Sequence, residues 1–244
     1  MSFQRAAKCA MLPRMCGRFV QTANKDELEE AYNVALPDNA ILKPRYNLAP
    51  GQPAAVITAG KSGPCVEFCV WGLVPSWAKD QKMGYKMINA RSESVWEKPS
   101  FRNPLRYRRC LVPANGFYEW KATPGEKRKT PYLFTLKDRP LFSFAGLWEV
   151  WNDRDGGELY TFTILTRAAN TFMKPYHARM PLILQKEQEG DWLNHAHYRP
   201  EELDPVLHAG AVELQAVPVS TRVNQVSNDD PECIRPAPEQ RELL

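Results

Sequence analysis

The chain has 244 residues, of which 43% are hydrophobic and 25% charged, enough for one large domain or two small ones with a real core. Aromatic residues at 11% exclude disorder for the bulk of the chain, and no apolar run approaches the roughly 20 residues that a membrane-spanning helix needs. The net charge of +4 is too small to mark a nucleic-acid binder by itself. Residues 1–14 have no apolar core of a secretory signal, and six cysteines are too sparse for a disulfide scaffold, so a reducing, cytoplasmic compartment is expected.

In chain order, residues 24–35 read as a helix. Asn24 suits its cap, Asp26 and Glu27 its first turn, and Leu28, Ala31, Tyr32 and Ala35 share a face. Strands are expected at 56–58, 66–71, 116–121, 132–136, 141–144, 148–151, 159–165, 182–184 and 212–219. The Asp-Arg-Asp-Gly-Gly run at 153–157 reads as the turn of a hairpin. Helices are expected before His177, near 187–194 and at 201–208, the last stopped by Gly210. From Asn228 onward the chain is Pro- and charge-rich and reads as a surface tail. The 21 prolines are scattered and disfavour long helices. Strands outnumber helices without βαβ alternation, and no linker is visible. The expectation is a single α+β domain, a mainly antiparallel sheet or open barrel with flanking helices.

Common catalytic signatures are missing: there is no P-loop, GxGxxG, HExxH or CxxC. Cys65 and Cys69 share a strand face but lack nearby metal-ligand partners, so they read as small buried hydrophobes. Five basic residues lie between Lys98 and Arg109 with no acidic one, interleaved with Phe101 and Tyr107. They suit a solvated basic face as well as a nucleic-acid contact. His195, His197 and His208 read as surface residues, whereas His177 and Arg179 sit two apart in a loop entering a strand. In 116–121, alternation sets Phe117 and Glu119 on one side and Tyr118 and Trp120 on the other. A carboxyl on a buried face must be paired or must hold its proton more tightly. The residues alone nominate a cysteine, a glutamate, a histidine and an asparagine, without showing that they meet.

The ordered segments Cys16-Gly-Arg-Phe19, Tyr46-Asn-Leu-Ala-Pro50, Trp71-Gly-Leu-Val-Pro-Ser-Trp77 and Asn89-Ala-Arg-Ser-Glu93 resemble the SRAP family of SOS response-associated peptidases. So do Arg109-Cys-Leu-Val-Pro113, Gly116-Phe-Tyr-Glu-Trp120, Thr166-Arg-Ala-Ala-Asn170, His177-Ala-Arg-Met-Pro181 and the stretch from Asn228 to Ile234. The resemblance implies a compact, mainly β fold with one DNA-binding cleft. It implies an abasic-site processing protein that binds single-stranded DNA and joins an N-terminal cysteine covalently to the lesion's aldehyde, with peptidase self-processing and possible lyase action. By that resemblance Cys16 supplies amine and thiol, Glu119 moves protons and serves as general base for removing preceding residues, Asn89 positions the amine or a sugar oxygen, and His177 is an acid toward the ring oxygen. Arg18, Arg91 and Arg179 are the expected phosphate clamps, with Arg102, Arg106 and Arg108 weaker ones. Trp71 and Trp77 are expected to stack on or wedge between bases, and Asn47 and Pro50 to shape the cleft rim. No cofactor, metal or membrane is implied, and a monomer is expected, cytoplasmic and nucleoid-associated.

The domain is expected over 16–227, preceded by an extension of residues 1–15 and followed by a tail of 228–244. A cysteine inside a chain has an acylated nitrogen and cannot condense with an aldehyde. Three accounts of the extension stand: Met15 is the true start, the protein cleaves off a leader, or the segment was added in cloning. The match begins at Met15, which is the working start. Two other functions remain open: a cysteine peptidase acting on other proteins through Cys16, His177 and Glu119, and a non-catalytic single-strand binding module.

Overall fold

Twelve strands and four short helices make up a computed structural model that describes residues 17–237 except 126, 198 and 209–211. The strands are β1 (Phe19–Gln21), β2 (Arg45–Leu48), β3 (Pro53–Gly60), β4 (Gly63–Trp71), β5 (Asn89–Arg91), β6 (Arg109–Ala114), β7 (Gly116–Lys121), β8 (Thr130–Leu136), β9 (Phe142–Asn152), β10 (Glu158–Ala168), β11 (Arg179–Pro181) and β12 (Leu214–Pro218). The helices are α1 (Lys25–Tyr32), α2 (Pro99–Tyr107), α3 (Gln188–Leu193) and α4 (Pro200–Leu207).

One sheet runs β10-β4-β3-β6-β9, and β9 pairs back onto β10, so these five strands close into a barrel. β5 and β11 extend it from β10. The second sheet is open, in the order β12-β8-β7-β1-β2. Pairing is antiparallel except where β10 meets β4 and β5. The α+β, mainly antiparallel class therefore holds, and the barrel is closed rather than open because the long β9–β10 hairpin supplies both edges. Its turn lies where the Asp-Gly-Gly run predicts. Asp153 Oδ1 accepts from the amides of Asp155 and Gly157, and Gly156 takes the positive φ of 84° that a residue without Cβ tolerates.

Alternation along the barrel strands divides the core. Val56, Cys69, Trp71, Cys110, Val112, Phe144 and Phe162 join Phe19, Phe117 and Phe134 of the second sheet in one cluster. The alternate positions Ile57, Leu111, Ala145, Leu147 and Leu165 pack beneath the helices with Leu28, Leu105, Trp192 and Leu203. Each fully buried aromatic or leucine contributes about 1.5–3 kcal/mol. Residues 141–144 and 148–151, expected as two strands, form the single β9. Gly146 is what permits it: a Cβ there would lie 2.8 Å from both Cys110 Sγ and Val112 Cγ2. α1 has the expected Asn24 cap, with Asn24 and Glu27 each bonding the other's amide, but ends at Tyr32 because Asn33 turns left-handed at φ 51°.

Other expectations change. The strand read at 182–184 is shifted to β11, because the amides of Leu182 and Leu184 go to different strands, Leu165 of β10 and Ser143 of β9. The helix read before His177 is a set of turns capped by Asn170, whose Oδ1 accepts from Met173 N. Most of the basic stretch 98–109 is the helix α2, Pro99–Tyr107, with Pro99 in the first turn, where its missing N–H costs nothing, and Arg109 already opens β6. The stop expected at Gly210 lies outside the described residues. The stretch from Asn228 is docked rather than free: Asp229 Oδ1 accepts from Tyr46 N (2.6 Å) and Asn47 N (2.8 Å), and Cys233 is buried.

The two sheets are also joined by a buried amide. Gln21 Nε2 donates to Ala55 O and Pro113 O, each at 2.9 Å, and its Oε1 accepts from Ala55 N. Gln21→Leu keeps the bulk and strands three buried backbone groups. Chemical denaturation is expected to show a loss of about 2–4 kcal/mol; a loss below about 0.5 kcal/mol would remove this amide as the tie.

Candidate functional site

Cys16 lies outside the described residues, and the site is built from the residues around its neighbour. β1 pairs with β7 so that Phe19 faces Phe117 and Tyr118 N donates to Arg18 O at 3.0 Å. Continuing that register one step sets Gly17 across from Glu119. As the alternation predicts, Glu119 shares its face with Phe117, and it is 4% exposed, while Tyr118 and Trp120 join the opposite cluster. On β8 the partner of Glu119 is Tyr132, whose ring meets that of Tyr176 at 4.9 Å, and Tyr176 directly precedes His177. Lys121 Nζ also lies over the Tyr176 ring, at 5.3 Å. This aromatic bridge brings the Glu119 strand and the His177 loop together.

Asn89 opens β5, paired in parallel with Ile164 of β10. It follows Ile88, whose carbonyl accepts from the Trp71 indole at 2.8 Å, and Trp71 packs edge-on against Phe19 at 5.1 Å. Asn89 is thus linked to β1 through the core. Arg91, two residues on, is exposed.

His177 is half-buried, and its ring is fixed from within its own loop. Nδ1 accepts from Arg179 N at 3.0 Å and lies 3.3 Å from Arg179 O. A neutral imidazole whose Nδ1 accepts carries its proton on Nε2. Arg179 is engaged within the protein. Its NH1 and NH2 bind the two oxygens of Glu93 at 2.6 and 2.8 Å, and NH2 also reaches Thr166 O at 2.6 Å. This hydrogen-bonded ion pair holds the Glu93 carboxyl down at about 2.

The expected nucleic-acid residues separate into groups. Trp71 is 1% exposed and stacked on Phe162, so it is core and cannot contact a base. Asn47 is fully buried; its Nδ2 donates to the carbonyls of Val223, Gln225 and Asn228, which makes it a scaffold rather than a rim residue. Arg18 NH1 donates to Asn47 Oδ1 and Val223 O, its guanidinium lies 5.9 Å over Trp120, and burial lowers its pKa. Pro50 is half-buried. Trp77 is 58% exposed and borders a cleft of about 570 Å³ with Lys79, Lys82, Met83 and Lys86.

Arg102 and Arg106 ride on α2, which packs on the outer face of the barrel through Phe101 and Leu105, away from the Phe117 face that Glu119 shares. In the same stretch Arg108 pairs with Glu149, and Arg109 is buried among the carbonyls of Leu105, Arg106, Trp192 and Asn194, with desolvation lowering it to about 10. The stretch is therefore not one solvated basic face. His195, expected at the surface, is half-buried, and burial followed by the Arg109 charge lowers its pKa. Cys65 lies against Thr58, and Cys69 is buried, which pushes its thiol up to about 12. Among the described residues no cluster of His, Cys, Asp and Glu could hold a metal ion. Sequence reading missed Glu93 and Tyr176 as site-building groups. For Glu93 the signal was the co-occurrence of Asn89-Ala-Arg-Ser-Glu93 with His177-Ala-Arg179, whose charges are complementary.

Comparison with known proteins gives a concordant picture. A family model described as SOS response associated peptidase (SRAP) matches residues 15–226. "Abasic site processing protein YoqW" of Bacillus subtilis (strain 168) is 45% identical over 223 residues, 90% of this chain and 99% of that protein. "Abasic site processing protein HMCES" of Gallus gallus is 37% identical over 190 residues, 68% of this chain and 56% of that protein. A crystal structure of a protein from Bacteroides thetaiotaomicron superposes with a TM-score of 0.78 at 28% identity, covering 91% of this chain and all of that one.

Two predictions test these placements. Trp71→Ala is expected to cost about 3–5 kcal/mol in chemical denaturation, and Trp77→Ala less than about 0.5 kcal/mol; equal losses would contradict the buried and exposed assignments. The Glu93 carboxyl is depressed by Arg179, so its contribution to stability is complete above its unfolded value of about 4.3 and disappears as pH falls through about 2. Its partial exposure keeps that contribution small. A carboxyl titration of Glu93 by NMR with a midpoint near 4 would contradict the ion pair.

Proposed function

Because the chain belongs to the SRAP family, we propose that it processes abasic sites in single-stranded DNA by capturing them covalently through an unblocked Cys16. The observation that carries this reading is the β1–β7 pairing, in which Tyr118, the neighbour of the buried Glu119, bonds Arg18, two residues after Cys16. The relatives named for abasic-site processing supply the substrate class.

The chemistry needs both nucleophiles of one residue. A ring-opened abasic sugar presents an aldehyde. The α-amine of Cys16 adds to that carbon, and water leaves to give an imine. The thiol then adds across the C=N bond, its proton going to nitrogen, and a five-membered thiazolidine ring closes. The net change is loss of one water. An α-amine with a pKa of about 7.8 is roughly 14% unprotonated at pH 7, so the step needs only a modest push from a base. In this reading Glu119 takes and returns that proton and is also the base for removing residues ahead of Cys16. Asn89 orients the amine or a sugar oxygen, and His177 protonates the ring oxygen to free the aldehyde. Arg18 and Arg91 contact phosphate, and Trp77, with the lysines beside it, stacks on flanking bases.

The test is intact mass spectrometry before and after mixing with single-stranded DNA from which a uracil has been excised. Protein beginning at Cys16 is expected to gain the mass of the strand less one water, whereas the same protein with its Cys16 α-amine acetylated gains nothing. Glu119→Gln is expected to slow adduct formation by roughly 100-fold or more. An adduct formed by blocked protein, or an unchanged rate in Glu119→Gln, would overturn the respective assignments.

A further inference from the structure

We infer that Glu93 is a positioning residue for His177, acting through Arg179 to hold the imidazole in the orientation its proton transfer requires. The inference rests on the acid role proposed for His177 and adds a residue to it.

The contacts form a continuous chain. Glu93 follows β5, the strand that Asn89 opens. Its Oε1 accepts from Arg179 NH1 and from Ala168 N at the end of β10, and its Oε2 from Arg179 NH2. Arg179 NH2 bonds Thr166 O on the same strand. The backbone of Arg179 is thereby fixed where β11 pairs with Ala168, and Ala169 N donates to Ala178 O at 3.0 Å. That backbone supplies both groups facing His177 Nδ1, an amide at 3.0 Å and a carbonyl at 3.3 Å. Arg179 Nε is buried and finds no partner among the described residues, so the hold on the guanidinium comes from its two terminal nitrogens.

The two backbone groups suit the two states of the ring. In the neutral ring the Arg179 amide donates to Nδ1 and the proton sits on Nε2. In the imidazolium, Nδ1–H donates to Arg179 O, which leaves Nε2–H as the proton to be given. In the ring-opening step the bond between the anomeric carbon and the ring oxygen breaks. The ring oxygen takes the Nε2 proton, the anomeric hydroxyl loses its proton to water, and the aldehyde forms. The ring ends neutral with its proton on Nδ1, held by Arg179 O. The bidentate pairing with Glu93 fixes the guanidinium, where a single contact at one nitrogen would let it swing, and adds to the hold of the β10–β11 pairing on the Arg179 backbone.

The experiment uses the full chain with an exposed Cys16 and ¹⁵N-labelled histidine. In the wild type, the His177 nitrogen shifts at alkaline pH are expected to report the Nε2–H form as dominant. Glu93→Gln and Arg179→Lys are each expected to give a mixture of the two neutral forms. The same variants should cross-link a closed-ring abasic site about tenfold more slowly. An acyclic aldehyde analogue, which needs no ring opening, should react within about twofold of the wild type. Unchanged nitrogen shifts in both folded variants, or equal slowing on both substrates, would overturn the positioning role. Wild-type protein that forms no adduct with either substrate would instead overturn the proposed function, while the nitrogen shifts would still decide whether Glu93 sets the ring.

Discussion

The seam between the closed barrel and the open sheet governs the rest of the molecule. Phe19 lies edge-on to Trp71 at 5.1 Å and to Phe144 at 5.9 Å, so β1 is packed against β4 and β9 at once. Gln21, two residues on, substitutes its side-chain amide for strand pairing with β3 and β6. The chain just after Cys16 is therefore held on both sides, by apolar contact and by buried hydrogen bonds. In the proposed function Cys16 is a nucleophile at a chain terminus, ordinarily among the most mobile groups in a protein. Anchoring the three residues of β1 orders the backbone from Phe19 onward, and proximity of this kind is a large part of what the proposed capture requires.

The same seam explains why polar groups on this side are buried with partners. Asn47 collects three carbonyls from the segment between Val223 and Asn228, and Asp229 caps the amides of β2. Arg18 joins this network through Asn47 Oδ1, and Tyr118 through Tyr46 O at 2.6 Å. Each buried polar group is costly unless satisfied, so the network couples the docked C-terminal stretch to β1, β2 and β7 as one unit. The other side of the barrel is built differently. Helices cover it, and Arg109, the one fully buried cation among the described residues, is stabilised by carbonyls at the ends of α2 and α3 rather than by an acid. Arg109 thus belongs to the helix packing, while Arg102 of the same stretch is exposed.

The arrangement around His177 has the same logic at smaller scale. One ion pair, made possible because β5 runs parallel to β10 while β11 runs antiparallel to it, fixes an arginine backbone and through it an imidazole. Two of the three arginines expected at phosphate also hold protein groups, Arg179 through Glu93 and Thr166 and Arg18 through Val223. Arg91 alone of the three is exposed.

Local pattern determined a good deal. The alternation in Gly116–Lys121 placed Glu119 on the Phe117 face, the Asp-Gly-Gly run set the β9–β10 turn, and Asn24 with Glu27 set the start of α1, because each depends on neighbours within a few residues. The ordered motifs, matched as a set, were sufficient for the family. Closure of the barrel, the burial of Trp71 and Asn47, the docking of the Asn228 stretch and the Glu93–Arg179 pair were decided only by the tertiary structure. These depend on groups up to 205 residues apart, as between Arg18 and Val223. An indole or a guanidinium has the same chemistry at the surface or in the core; its role is settled by which distant backbone groups fold around it.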